Sequence, residues 1–82
     1  MPLYIEFDIL GPITNQRTIA VGNRIRDLRR LNEEYGRGRW RKMSGEAFIQ
    51  FPNGDVIYAE IHWYEAHGIG MRDVGFKREI KE

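Results

Sequence analysis

From residue 3 to residue 10 the chain alternates, with Leu3, Ile5, Phe7 and Ile9 on one side and Tyr4, Glu6, Asp8 and Leu10 on the other. A period of two predicts a half-buried strand, and Gly11-Pro12 predicts its end. Val21, Ile25, Leu28, Leu31 and Tyr35 then share one helical stripe, with arginines mostly elsewhere. This helix starts either after Thr18, tolerating Gly22, or at Asn23 as its N-cap. Gly36 predicts its stop. From Arg39 the period returns to two. Met43, Gly45, Ala47, Ile49 and Phe51 lie on one face, and Trp40, Lys42, Ser44, Glu46, Phe48 and Gln50 on the other.

A further strand follows Pro52-Asn53-Gly54. Ile57, Ala59, Ile61 and Trp63 take one face, and Val56, Tyr58, Glu60, His62 and Tyr64 the other. A two-residue Asn-Gly turn would set Ile49 against Tyr58 and bury the wrong face. A three-residue loop with Gly54 left-handed in a bulge restores parity. It pairs Ile49 with Ile57, Ala47 with Ala59, Gly45 with Ile61 and Met43 with Trp63. The same register sets Phe48 opposite Tyr58, Glu46 opposite Glu60, Ser44 opposite His62 and Lys42 opposite Tyr64. Two carboxylates in direct opposition repel, so a nearby cation, a raised pKa or divergence into solvent must relieve Glu46 and Glu60. A last strand, Val74 to Ile80, turns Phe76 and Ile80 inward and Lys77, Glu79 and Lys81 outward. The elements run strand, helix, then a three-stranded meander. They predict an α+β fold with one main helix packed on a small antiparallel sheet. Ile25, Leu28 and Leu31 are expected to cover the face that carries Ile49 and Trp63.

Eighty-two residues allow one domain, spanning 1–82, with a limited core. Cysteine is absent, which removes disulfides, thiol chemistry and cysteine-zinc sites and fits a reducing cytosol. Met-Pro-Leu-Tyr-Ile-Glu has no basic segment before a long apolar run, so it does not read as a signal peptide. No apolar stretch reaches the length of a membrane span. A cytoplasmic location with no membrane partner is expected. Net charge is +1, yet residues 24–42 hold eight basic and three acidic residues. Seven of the eight are arginine, whose planar fork suits phosphate. This run reads either as a phosphate-binding segment or as a solvated helix face with ion pairs such as Arg30 to Glu33 or Glu34.

Both histidines lie in Ile61-His62-Trp63-Tyr64-Glu65-Ala66-His67. They have no standard zinc spacing, and Asn53-Gly54-Asp55 is a turn rather than a calcium loop, so neither metal nor cofactor is expected. Gly36-Arg37-Gly38 is too short to cradle a phosphate, and Gly68-Ile69-Gly70 has no helix after it. Metal-free RNA cleavage asks for less. The 2′-hydroxyl is the nucleophile, so the protein supplies an acid, a base and cations for the pentavalent phosphate. Glu46, Glu60, His62 and Tyr64 share one sheet face near Lys42, and His67 stands at its end. These five are the candidate catalytic residues. Candidate nucleic-acid contacts are Arg37, Arg39, Arg41, Lys42, Arg72 and Lys77. Trp63 reads as core packing. The plainer alternative makes Tyr58 and Tyr64 exposed sheet aromatics and His62 a surface histidine.

The order strand, helix, three-stranded meander resembles the RelE/ParE class of toxins from bacterial toxin–antitoxin pairs. Arg39-Trp40-Arg41-Lys42-Met43-Ser44-Gly45 and Ala59-Glu60-Ile61-His62-Trp63-Tyr64-Glu65-Ala66-His67-Gly68-Ile69-Gly70 also resemble blocks of short bacterial proteins, a likeness that implies no activity. The first resemblance implies a RelE-like fold and a ribonuclease with an antitoxin partner. Arg41 or Lys42, His62, Tyr64, Arg72 and Lys77 would fill its roles. The chain departs from that pattern in placing its histidines before the last strand, with no aromatic after Phe76. The expectation is therefore a metal-independent endoribonuclease toxin. The alternatives are a non-catalytic module binding RNA or an acidic protein, and a homodimer paired through an edge strand.

Overall fold

Alternation dominates this chain more than its arginine-rich middle suggests. The computed structural model describes residues 5–81, so Leu3 and Tyr4 of the expected first strand lie outside the described residues. Strands β1 (Asp8–Val21), β2 (Arg41–Gln50), β3 (Val56–Ala66) and β4 (Gly70–Glu79) form one antiparallel sheet in the order β1-β2-β3-β4. A 3-10 turn (Gly22–Arg24) and a single helix α1 (Leu28–Tyr35) are inserted between β1 and β2. This corrects the expected fold. The expected RelE-like arrangement, a main helix on a three-stranded meander, is replaced by a four-stranded sheet with an eight-residue helix.

Two local effects cause the change. First, Gly11-Pro12 does not stop β1. Gly11 takes φ 70° and Asn15 φ 51°, and the strand absorbs both as bulges. Proline is tolerated because β1 is an edge strand with one side free of the ladder. Asp8 pairs with Gln50 and Val21 with Arg41, so fourteen residues of β1 run along ten of β2. Second, Val21 belongs to that strand and is exposed, so the apolar stripe of the helix begins only beyond Ile25. Gly36, at φ 110°, does end the helix, with its N–H bonded to Asn32 O at 3.1 Å.

The central hairpin has the expected register throughout, from Ile49↔Ile57 to Lys42↔Tyr64, with Glu46 opposite Glu60. Phe51 N donates to Asp55 O and Gly54 N to Phe51 O, both at 2.9 Å, and Gly54 sits at φ 94°. The loop is thus the three-residue form that keeps parity.

The helix, however, covers the other face. Met43, Ala47, Ile49, Ala59, Ile61 and Trp63 are buried together, and Phe7, Ile9, Ile13, Phe51, Met71, Val74 and Phe76 close over them. Phe51 makes edge-on ring contacts with Phe7 at 6.5 Å and with Phe76 at 6.2 Å. Phe7 immediately precedes one edge strand and Phe76 belongs to the other, so the sheet curls over its own apolar face. Bulges in β1 and β4 favour that bending. Leu31 and Ile25 instead join Trp40, Tyr64 and Ala66 in a second core on the opposite face. Trp40 donates its indole N–H to Gly36 O at 3.1 Å, which fixes the chain leaving the helix.

Arg30 and Asp73 fasten the helix to β4. Asp73 accepts the Tyr35 hydroxyl at 2.5 Å and pairs with Arg30 at 2.9 Å. Arg30 also reaches Glu34 at 3.2 Å and Asp27 at 3.6 Å. The helix-face ion pairs expected of the arginine-rich run are present, with Arg29 joining Glu33 at 3.2 Å.

Candidate functional site

Because alternate residues of β2 and β3 face the same way, the face shared with the helix carries a row of polar and aromatic pairs. From one end it reads Phe48/Tyr58, Glu46/Glu60, Ser44/His62 and Lys42/Tyr64. Helix α1 sits over the last pair, and Tyr64 donates its hydroxyl to Asp27 Oδ2 at 3.2 Å.

Glu60 is the centre of this face, and only 7% of it is exposed. Its Oε2 accepts from Ser44 Oγ at 2.9 Å and from His62 Nε2 at 2.8 Å. Its Oε1 accepts from Arg78 Nε at 2.8 Å, and Arg17 Nη2 stands 3.7 Å from Oε2. Arg17 comes from β1, Ser44 from β2, His62 from β3 and Arg78 from β4. Every strand of the sheet therefore sends a side chain to one carboxylate. The hydrogen bond from His62 lowers its pKa from 4.5 to about 2, with Ser44 and Arg78 adding to the effect and burial opposing it. Cations thus relieve the opposition of Glu46 and Glu60, and Glu60 stays ionised.

The carboxylate also sets the state of His62. An ionised carboxylate only accepts, so Nε2 carries the proton and neutral His62 keeps its lone pair on Nδ1. That nitrogen is buried with no hydrogen-bond partner. His62 lines a pocket of about 420 Å³ together with Tyr64, Lys42, Lys77, Arg24, Arg26, Asp27 and three apolar residues. In β4 its cross-strand neighbour is Gly75, which adds no side chain beside the ring. Four cations thus surround a pocket containing one carboxylate, and Asp27 already serves Tyr64 and Arg30. Lys42 Nζ lies 6.0 Å from the Tyr64 ring centre.

The structure gathers some of the sequence candidates and separates others. Glu60, His62, Tyr64, Lys42 and Lys77 meet at or beside this pocket. Glu46 is their neighbour on the face but takes no part in the Glu60 cluster. His62 and Tyr64 are both buried, so neither is the surface residue of the plainer alternative. Arg41 points to the opposite face, where it pairs with Glu65 at 2.6 Å, and Trp63 donates to the same carboxylate at 2.7 Å. His67 belongs to a separate pocket of about 320 Å³ with Arg41 and Glu65. Arg72 lies 5.4 Å from the Tyr35 ring, Arg37 borders the helix beside Arg29 and Asn32, and Arg39 is exposed in the loop before β2.

Sequence reasoning missed Arg17, Arg78 and Ser44 as partners of Glu60. Ser44 was readable, since the register already set it opposite His62. The arginines were not. One-residue bulges between Thr14 and Arg17 in β1 and between Phe76 and Arg78 in β4 reverse parity there, so alternation alone assigns these side chains wrongly. Among the described residues, no group of three or more histidine or acidic side chains is arranged to hold a metal ion. No helix of the described residues is long and apolar enough to cross a membrane. Compared with protein-family models, curated proteins and solved structures, the chain shows no match in any of the three.

Proposed function

We propose that this protein is a metal-independent endoribonuclease, with the pocket beside His62 as its phosphate site. One observation carries the reading: His62, its tautomer fixed by Glu60, lines a pocket with Lys42, Lys77, Arg24 and Arg26. In this scheme the side chains lining the pocket part to uncover the buried His62 Nδ1, which takes the proton of a ribose 2′-hydroxyl, and the oxygen attacks the adjacent phosphorus. The O2′–P bond forms, the P–O5′ bond breaks, and the departing oxygen takes a proton from solvent. The products are a 2′,3′-cyclic phosphate and a 5′-hydroxyl end. Lysine and arginine offset the added charge on the phosphorane. Glu60 stays ionised and holds the imidazole in place through its hydrogen bond to Nε2. In this reading the chain is the toxin of a toxin–antitoxin pair, with an antitoxin-like protein covering the basic pocket. Growth arrest on expression, relieved by His62→Gln, is the cellular expectation.

A second reading has its own observation. Glu60 and His62 are tied to all four strands, which is also how a polar brace holds a curled sheet. In that case the same cationic pocket binds RNA or an acidic protein without chemistry. Incubating purified protein with RNA in EDTA separates the two readings. Cleavage lost in His62→Gln supports the enzyme, and binding without cleavage supports the module.

A further inference from the structure

Beyond the pocket, the same face ends in an aromatic pair, Phe48 and Tyr58. Phe48 is 54% exposed, and its ring centre lies 4.8 Å from that of Tyr58, with the rings tilted by 60°. Tyr58 is pinned through its hydroxyl, which shares a 3.0 Å hydrogen bond with Thr14 Oγ1. Leu10 stands opposite Phe48 on β1 and is also exposed. An aromatic pair held in place on two neighbouring strands, with Phe48 exposed and Tyr58 half-buried, costs little ordering entropy when a planar ligand arrives. We propose that Phe48 and Tyr58 form a base-stacking platform that makes single-stranded RNA the ligand of this face.

This assignment rests on the proposed RNA-acting role and adds the strand state and the docking path. Tyr58 and His62 are four residues apart on one strand, a span of about 13 Å. Between platform and pocket lie Arg17 and Arg78, whose side chains are 71% and 62% exposed although each touches Glu60. A guanidinium has five N–H donors. Arg78 uses its Nε on Glu60, which leaves its other donors for a phosphate. The path therefore has a stacking surface, two exposed arginines and a cationic pocket in sequence along one face. Single strands are held by this combination of aromatic stacking and a basic track. Duplex RNA keeps its bases stacked on one another and offers none to Phe48. A second copy of the chain is the rival occupant of the apolar patch. It would bring the same excess of cations to the interface, whereas RNA brings phosphates.

The test measures fluorescence anisotropy of a labelled single-stranded RNA and of a hairpin duplex of equal length, over a salt series, with wild type, Phe48→Ala and Lys77→Ala. Wild type should prefer the single strand. Phe48→Ala should weaken single-strand binding by roughly 5- to 150-fold, the range for one lost base stack, while leaving the salt slope unchanged. Lys77→Ala should instead reduce the slope. Circular dichroism confirms that each variant is folded, which the exposure of Phe48 favours. Equal binding of duplex and single strand, or unchanged affinity in Phe48→Ala, overturns the platform and leaves the pocket reading intact. Single-strand binding lost in Phe48→Ala by a protein that cuts no RNA supports the platform while the nuclease reading fails. Sedimentation showing a wild-type dimer that Phe48→Ala dissociates, with RNA affinity unmoved, assigns the patch to a second copy and overturns the proposal.

Discussion

Glu60 and Arg78 face each other across β3 and β4, joined by a 2.8 Å hydrogen bond from the guanidinium Nε. The arginine is largely exposed, so the pair on its own is worth little. What matters is that the carboxylate is buried and shared with Ser44, His62 and Arg17. Removing its charge leaves several donors facing a weaker acceptor inside the sheet.

Acid should expose this dependence. The folded-state pKa of Glu60 is lowered from 4.5 to about 2. Its contribution to stability is therefore complete above pH 4.5 and disappears as pH falls towards 2. Denaturant midpoints measured across that window should drop for wild type and drop less for Glu60→Gln. At neutral pH the variant should be less stable by roughly 1–3 kcal/mol. Parallel pH profiles for the two proteins would remove Glu60 from its central position.

Gly45 is closely packed against the apolar core. A methyl group built there would stand 2.5 Å from Ile13 Cγ2 and 2.9 Å from Trp63 Cη2. Trp63 is buried, so its ring has no free space to retreat into, and the half-buried Ile13 must yield. Gly45→Ala should cost about 1–3 kcal/mol by overpacking. Thermal melting gives the value, and a variant as stable as wild type would mean that Ile13 and β1 yield easily.

The attachment of the helix is tested at Asp73. Its hydrogen bond to Tyr35, with burial adding to the effect, raises the phenol above its ordinary pKa of 10.0. A raised folded-state pKa gives stability that is full below that ordinary value and is lost as pH rises through the folded value. Asp73 also takes φ 54°, which asparagine tolerates well. Asp73→Asn should therefore keep the backbone and lower the Tyr35 pKa, read by ultraviolet titration of the phenols. No change in that titration would contradict the Tyr35–Asp73 contact.

Much of this site was legible along the chain, but unevenly. Strict alternation in β2 and β3 and the Pro52-Asn53-Gly54 loop determine the register, and with it the company of Glu60, His62 and Tyr64. The edge strands were not legible in the same way. Gly11-Pro12 reads as a stop, yet an edge strand accommodates it as a bulge. The one-residue bulges between Thr14 and Arg17 and between Phe76 and Arg78 reverse parity, which concealed Arg17 and Arg78. The apolar stripe of the helix predicts that it covers the Ile49–Trp63 face, yet it packs on the other. Phe7 and Phe51, flanking β1 and β2, and Phe76 of β4 cover that face instead.

The pocket should reveal its ligand through salt. Lys42 and Lys77 line it beside Arg24 and Arg26. If these groups contact phosphates, the affinity for single-stranded RNA should fall steeply with salt, by a log–log slope of about 0.7 per contact. Lys42→Ala with Lys77→Ala should flatten that slope by about twice this amount. Arg39→Ala, in the exposed loop before β2, should change it least. A slope that is the same in all these variants would place the RNA elsewhere.

His62→Gln provides the most direct test of the central claim. Glutamine retains an N–H donor for Glu60 but cannot transfer a proton at neutral pH. It is a better probe than alanine, because His62 is buried and its loss would leave Glu60 short of a partner. The measurement is the single-turnover rate of RNA cleavage in EDTA by wild type and His62→Gln, with equal folding verified by thermal melting. A proton-transfer role predicts wild-type cleavage to 2′,3′-cyclic phosphate ends and a loss of about 10²- to 10⁴-fold in the variant. Equal rates in a folded variant, or no cleavage by wild type, would contradict it.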